Sequence, residues 1–184
     1  KLSKNIYESL KSIGPIYSWF ASKSIAAILR AEKGKEYSVS SLEKEFNLLS
    51  NPNFEDYYEL ANFYKNNEYY KKSIKYYSLA LTEIESGHFL VPKIFDRRGT
   101  SYERLGDWKN AEKYIRYAIK KGDLENPGRA WLLLGITRNK KGIKFENSAL
   151  FAFKRSTGYE DMEADARRWV KVIETKQARR EADR

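Results

Sequence analysis

The side chains of this chain that could do chemistry are mainly cations. The sequence has 35 Lys and Arg, 25 Asp and Glu, one His and no Cys. His88 lies in a polar loop without a second His or Cys to complete a metal site, so we interpret it as a solvated loop histidine. The glycines are scattered and form no phosphate-binding loop. We therefore expect no catalysis and no cofactor, and instead expect ion pairing by guanidinium and ammonium groups.

The positive charge is unevenly distributed along the chain. Residues 51–90 carry 4 basic and 6 acidic groups, whereas residues 128–184 carry 14 basic and 8 acidic groups. This excess toward the C-terminal end predicts an acidic partner. No apolar run reaches the length of about 18 residues that a membrane-spanning helix needs. The absence of Cys excludes disulfides and is compatible with any compartment.

Helices must position these cations, and the residue spacing that predicts helices is clearest over residues 93–121. Phe95, Gly99 and Tyr102 have the i, i+4, i+7 spacing of one helix face. After a Leu-Gly-Asp-Trp turn, the same spacing recurs at Ala111, Ile115 and Ala118. Small residues at the contact would let two antiparallel helices approach closely. The stretch predicts a helical hairpin.

This pattern resembles the tetratricopeptide repeat (TPR), with Arg98 standing where Leu is usual. An upstream copy comprises Tyr57, Leu60, Ala61, Tyr64, Ser73, Tyr77 and Ala80. A downstream copy comprises Trp131, Leu134, Gly135, Ala149, Phe153 and Ser156. Ala61, Gly99 and Gly135 are separated by 38 and 36 residues, close to the TPR period of about 34. The resemblance implies an all-α solenoid of three helical hairpins.

We predict three parts in the chain. Residues 1–50 are expected to form a degenerate helical hairpin, with a break at 12–15, a helix over 16–31 and a Ser40–Glu43 capping box for the next helix. Residues 51–158 are expected to hold the three repeats. Their helices are predicted near 54–66, 69–85, 92–105, 108–121, 128–141 and 146–157. Residues 159–184 are expected to form a capping helix from 161 to about 177 and a frayed charged tail over 176–184.

The TPR resemblance also implies a binding groove, because the first helices of successive repeats line the concave side of that fold. The implied groove positions are Tyr58, Asn62 and Lys65 in repeat one, Lys93, Arg97, Thr100 and Arg104 in repeat two, and Arg129, Leu132, Leu133, Ile136 and Lys140 in repeat three. Guanidinium groups beside apolar side chains suit an acidic, partly apolar segment of a partner protein. The alternative is that Arg97 and Arg104 pair with Asp96, Glu103 or Glu125 and only solubilise the surface.

Two other functions compete with a peptide groove. Nucleic-acid binding would use the basic stretch 129–184 with Trp131, Phe151, Phe153 and Trp169, although these aromatics occupy repeat core positions and the charges alternate with acids. Self-association would use the N-terminal hairpin, if Trp19, Phe20 and Ile25 exceed what one array buries. Membership of a larger complex is compatible with the scaffold interpretation.

The C-terminal third has a second, looser resemblance. Residues 126–135, 149–154 and 165–174 resemble the end of bacterial TPR proteins that accompany TonB-type energy-transduction systems. The resemblance implies an accessory subunit of an envelope assembly and favours a periplasmic over a cytoplasmic location. The chain starts at Lys1 without Met or a hydrophobic signal region, so we expect a processed or trimmed product.

Overall fold

The computed structural model describes Ser9, Gly14, Trp19, Ala26 and residues 30–183. This part of the chain is helical and has no β-strand. Its helices after residue 34 are α1 (Lys35–Phe46), α2 (Phe54–Asn66), α3 (Tyr70–Glu83), α4 (Val91–Arg104), α5 (Trp108–Lys121), α6 (Pro127–Lys140), the 3-10 turn Ile143–Phe145, α7 (Glu146–Ser156) and α8 (Glu163–Ala182). None of the helices over 30–183 is long and apolar enough to cross a membrane.

Six of these helices form three stacked hairpins. Helices α2 and α3, α4 and α5, and α6 and α7 pack as pairs, and the second helix of each pair contacts the next element in the chain. The first helices also touch in series, α2 against α4 and α4 against α6. Asn53, Asp107 and Asn126 cap the starts of α2, α5 and α6 by accepting backbone hydrogen bonds. The predicted all-α helical-hairpin solenoid is confirmed.

Small residues set the spacing inside each hairpin. A Cβ atom added to Gly99 would lie 2.7 Å from Cγ1 and 3.0 Å from the backbone nitrogen of Ile115. A Cβ atom on Gly135 would lie 2.5 Å from the ring of Phe153. Ala61 is fully buried and packs in the same cluster as Tyr77. The backbones of the paired helices therefore approach too closely for a larger residue at these positions.

Arg98 occupies a position where the repeat pattern usually has Leu. Its guanidinium carbon lies 4.1 Å from the ring centroid of Tyr114 and 5.9 Å from that of Tyr102. The two rings stack on each other, with centroids 5.4 Å apart and an interplanar angle of 5°. The flat guanidinium thus covers aromatic surface in place of an aliphatic side chain, and gains cation–π attraction.

Helix α1 begins earlier than the sequence pattern predicts. Helix α1 follows Gly34, whose φ of 89° interrupts the helical residues before it, so Ser40 and Glu43 lie inside the helix. The predicted Ser40–Glu43 capping box is therefore wrong. Glu43 instead accepts hydrogen bonds from the Tyr64 hydroxyl and, at 2.5 Å, from Lys72 Nζ. These contacts fasten α1 to the first hairpin.

Trp19 is a described residue of the N-terminal region that packs on the array. It is 1% exposed, its ring lies edge-on to Phe46 at 5.2 Å, and its indole N–H donates to Asp56 Oδ1 at 2.9 Å. Phe20, Ile25 and most of the predicted helix 16–31 lie outside the described residues. Trp19 itself is covered within the chain, so it offers no surface for the self-association considered above.

Helix α8 covers the end of the solenoid. Trp169 stacks on Phe153 with centroids 5.4 Å apart and an interplanar angle of 4°, and Ile173 is fully buried beside it. The predicted helix end near residue 177 is wrong, because α8 continues to Ala182. Arg180 pairs with the buried carboxylate of Glu146 and so holds the last turns against α7.

We expect Gly99→Leu to lower the free energy of unfolding by about 3 kcal/mol or more, because the new side chain must displace Ile115 and its backbone. Thermal and urea unfolding followed by circular dichroism measures this loss. Gly87→Leu is the matched control, since a Cβ atom there meets nothing within 4 Å. Equal stability of both variants would contradict the close helix contact.

Removal of residues 159–184 should expose Phe153 and its apolar neighbours on α6, and should therefore promote aggregation. Light scattering during a thermal ramp, compared with the full chain, measures the effect. A milder variant, Trp169→Ala, should lower the melting temperature without complete loss of solubility. A truncated chain that is as soluble and as stable as the full chain would refute the capping role of α8.

Candidate functional site

A polar cleft of 230 Å³ lies where the first helices of the second and third hairpins meet the end of α2. We call it the first-helix cleft. Its lining residues are Lys65, Lys93, Asp96, Arg97, Leu124, Glu125, Asn126 and Arg129. Four of these side chains are cations and two are carboxylates, so the cleft has a net positive charge.

Arg97 links the first and second hairpins at the base of this cleft. Its Nη1 donates to Asn62 Oδ1 at 2.5 Å, and its guanidinium carbon lies 5.3 Å from the ring centroid of Tyr58. Asn62 is itself fixed by the Tyr77 hydroxyl, which donates to the same oxygen at 2.7 Å. Asn62 and Tyr77 therefore restrict the guanidinium of Arg97 to one orientation.

Arg129 links the second and third hairpins through an ion pair with Asp96. Burial raises the pKa of Asp96 above its ordinary value, and the attraction of Arg129 opposes this shift without cancelling it. Asp96 Oδ1 is buried and has no hydrogen-bond partner in the described part of the chain.

Glu125 closes one side of the cleft from the loop before α6. It pairs with Lys93 and lies 3.8 Å from Arg97, yet its side chain remains 65% exposed. The hydrogen bond from Lys93 holds the pKa of Glu125 below its ordinary value and raises the pKa of Lys93. Because Glu125 is exposed and sits in a loop, a ligand carboxylate could take its place beside these two cations.

Lys65 is the cation of the cleft whose charge is least compensated. It is half-buried and forms no ion pair with any residue of 30–183. Burial lowers the pKa of its amine, and the nearby charges of Arg97 and Arg129 lower it further, whereas the carboxylate of Asp96 opposes these effects without cancelling them. An anion bound between these three cations would relieve their mutual repulsion, so the geometry suits a carboxylate ligand.

The structure brings only part of the implied groove together. Lys65, Lys93, Arg97 and Arg129 line the cleft, and Tyr58 and Asn62 contact Arg97. Thr100 donates to the backbone oxygen of Asp96 at 2.9 Å. Arg104 is 61% exposed and lies 3.5 Å from Glu103, outside the cleft lining.

The apolar groove positions of the third repeat have other roles. Leu132 and Ile136 pack against the cluster of α7 and α8, and Leu133 packs against the core between α5 and α7. Lys140 is exposed and does not line the cleft. The helix face that the repeat pattern assigns to the groove is thus closed by α8 along part of α6.

Residues of the loop before α6 complete the cleft, although the sequence pattern did not place them there. Leu124, Glu125 and Asn126 line it, and Asn126 also caps α6 by accepting from the Arg129 backbone at 2.7 Å. The Asn-Pro pair in the sequence indicates where this loop ends and α6 begins, and so it could have indicated that the loop lies beside the cleft.

His88 is more than a solvated loop residue. Its Nδ1 accepts from the Leu90 backbone at 3.2 Å, and its ring contacts Phe89 and Phe54 at 4.5 and 5.1 Å. In the described part of the chain, no group of His, Cys, Asp and Glu is arranged to hold a metal ion.

We expect Arg129→Met to lower the free energy of unfolding near neutral pH by about 3 kcal/mol, because Asp96 loses its ion-pair partner while it stays buried. The substitution should also raise the pKa of Asp96 further. The loss should therefore shrink as the pH falls through that raised pKa and the carboxyl becomes protonated. Urea unfolding of both proteins across this pH range measures the difference. Arg129→Met with Asp96→Asn should recover stability, and a pH-independent loss would contradict the pairing.

No family model matches this sequence, and no curated protein matches it. Several solved structures share its fold. MamA 41-end from Desulfovibrio magneticus RS-1 superposes with a TM-score of 0.68 at 14% identity, covering 87% of this chain and 85% of that chain.

YrrB, described as a TPR protein with an unusual peptide-binding site, gives a TM-score of 0.61 at 25% identity and covers 88% of this chain and 78% of that chain. Bacillus thuringiensis PlcR in complex with the peptide PapR7 and DNA gives 0.59 at 17% identity, covering 94% and 68%. The chain therefore has the TPR-type helical-hairpin fold predicted from its residue pattern.

Proposed function

We propose that this chain is a non-catalytic scaffold that binds an acidic, partly apolar segment of a partner protein in the first-helix cleft. The observation that carries the proposal is Lys65, a half-buried ammonium with no ion-pair partner in residues 30–183 that lies close to Arg97 and Arg129. A carboxylate at this point would be held by charge-assisted hydrogen bonds from several sides.

Two further observations favour a peptide over a simple anion. Leu124 on the cleft wall provides a small apolar contact for a neighbouring side chain. YrrB and PlcR, which share the fold, are a protein with a peptide-binding site and a protein solved with a bound peptide.

Nucleic-acid binding is less well supported as an alternative. Phe153 is fully buried and stacks on Trp169, so neither ring can stack freely on a base. A steep loss of affinity for single-stranded oligonucleotides between low and moderate salt would favour this alternative.

Membership of a TonB-type envelope assembly is the finer part of the proposal. It rests on the sequence resemblance of residues 126–135, 149–154 and 165–174 alone. Co-purification with inner-membrane components of such a system from the native organism would support it, and a partner from an unrelated pathway would overturn it.

The scaffold proposal is tested by Lys65→Gln, with Lys140→Gln as the matched control. Both changes remove one ammonium from an implied groove position, but only Lys65 lines the cleft. Lys65→Gln should weaken binding of the native partner, or of an acidic peptide derived from it, by about tenfold or more. Lys140→Gln should bind like the parent chain. Calorimetric titration measures both affinities, and equal binding by the two variants would move the site away from the first-helix cleft.

A further inference from the structure

A second and larger cleft lies between α5, α6 and α7. It has a volume of 810 Å³ and is lined by Lys109, Glu112, Lys113, Arg116, Tyr117 and Lys120 of α5, and by residues of α6 and α7. We call it the α5 cleft. Its lining residues on α6 are Trp131, Leu134 and Arg138. Trp131 lies about 200° around the helix from Arg129, so the α5 cleft and the first-helix cleft use opposite sides of α6.

A row of cations forms one wall of this cleft. Lys109, Lys113, Arg116 and Lys120 follow the i, i+4, i+7, i+11 spacing of a single helix face. All four side chains are exposed, and none forms an ion pair with any residue from 30 to 183. The row is about 16 Å long at the helical rise of about 1.5 Å per residue. Its charge is therefore free to attract a ligand.

The floor of the cleft already holds a carboxylate. Glu112 receives a hydrogen bond from Arg138 Nε at 3.0 Å and one from Lys141 Nζ at 2.5 Å. Burial raises the pKa of Glu112, but these two bonds more than offset that effect and hold it below the ordinary value. Glu112 is thus neutralised within the chain, which leaves the charge of the α5 row uncompensated.

Apolar surface faces the row of cations. Phe151 is 56% exposed and lies edge-on to Trp131, with ring centroids 6.1 Å apart. Tyr117, 45% exposed, and Ile119 add to this surface from α5. A ligand that fills the cleft would therefore bury an apolar group while its negative charges meet the cations.

Most of the aromatic rings that line the cleft already have a cation over one face. The guanidinium of Arg155 lies 5.4 Å from the Trp131 ring centroid, and Lys141 Nζ lies 4.0 Å from that of Phe145. Lys113 Nζ lies 5.9 Å from the ring centroid of Tyr117. Base stacking needs open ring faces, so these contacts disfavour a nucleic acid, whereas an acidic polypeptide can pack one apolar side chain on the exposed surface of Phe151.

We propose that the α5 cleft is a second interaction surface, which takes an acidic segment of a partner protein with one aromatic or large aliphatic side chain. The segment lies along the α5 row, its carboxylates pair with Lys109, Lys113, Arg116 and Lys120, and its apolar side chain packs against Phe151. With the first-helix cleft on the opposite side of α6, one chain can hold two acidic segments at once.

The test uses a synthetic peptide of about twelve Glu and Asp residues with one central photoreactive phenylalanine. Mass spectrometry locates the crosslinks. We expect crosslinks within 109–120 and 131–151, together with a loss of affinity of about tenfold or more in Arg116→Glu with Lys120→Glu. Phe151→Ser should weaken binding of the aromatic peptide but not of a matched peptide with Ser at its centre.

Two controls distinguish binding in the α5 cleft from nonspecific attraction to positive charge and from binding in the first-helix cleft. Lys171→Glu with Arg179→Glu makes the same charge change at exposed positions of α8 and should leave the crosslinks in place. Lys65→Gln should also leave them in place, so failure of the first-helix proposal would not affect this result.

Three results would overturn the proposal. Crosslinks confined to the first-helix cleft would show that the α5 cleft binds no acidic segment. Displacement of the peptide by a single-stranded oligonucleotide of equal charge, with tighter binding, would identify a nucleic-acid site. Dimerisation of the free chain that disappears in Arg116→Glu with Lys120→Glu, measured by analytical ultracentrifugation, would identify a second copy as the occupant.

Discussion

The close approach of paired helices at their small residues is the constraint on which the rest of this structure depends. Gly99 leaves no room for a Cβ atom beside Ile115, and Gly135 leaves none beside Phe153. Because these contacts fix the distance within each hairpin, successive first helices come close enough to share polar contacts. Arg97 and Arg129 each reach back to the preceding first helix. Hairpin packing thus brings Lys65, Arg97 and Arg129 together, and the loop before α6 completes the first-helix cleft.

The helices of the three hairpins could be predicted because their contacts are local and periodic. A small residue recurs where the two helices of each hairpin touch, so its spacing in the sequence indicates the repeat. The tertiary contacts of α1 and the end of α8 depend instead on distant residues. Glu43 is engaged by Tyr64 and Lys72 from the next hairpin, and the last turn of α8 is held by Arg180 through Glu146. No local pattern contains such information.

The candidate site was predictable only in part, for a related reason. The repeat pattern identifies which helix face lines a groove, and so it identified Lys65 and its neighbours. It does not say what else packs on that face. Helix α8 covers Leu132 and Ile136 because an array needs its last apolar surface buried, and the loop before α6 brings Glu125 into the cleft. That loop is longer than the loop of the repeat pattern, so the pattern could not predict that its residues line the cleft.

The two clefts differ in how their charge is balanced, and this difference bears on how each would select a ligand. In the first-helix cleft, Asp96 and Glu125 already pair with cations, so a ligand must compete with them and must match their geometry. In the α5 cleft, the cation row lacks partners in residues 30–183, so attraction is long-ranged and weakens as salt screens it. Competition with Asp96 and Glu125 makes binding in the first-helix cleft more specific. The unpaired cations of the α5 cleft favour rapid association instead. A scaffold with both can attract an acidic partner on one side and discriminate on the other.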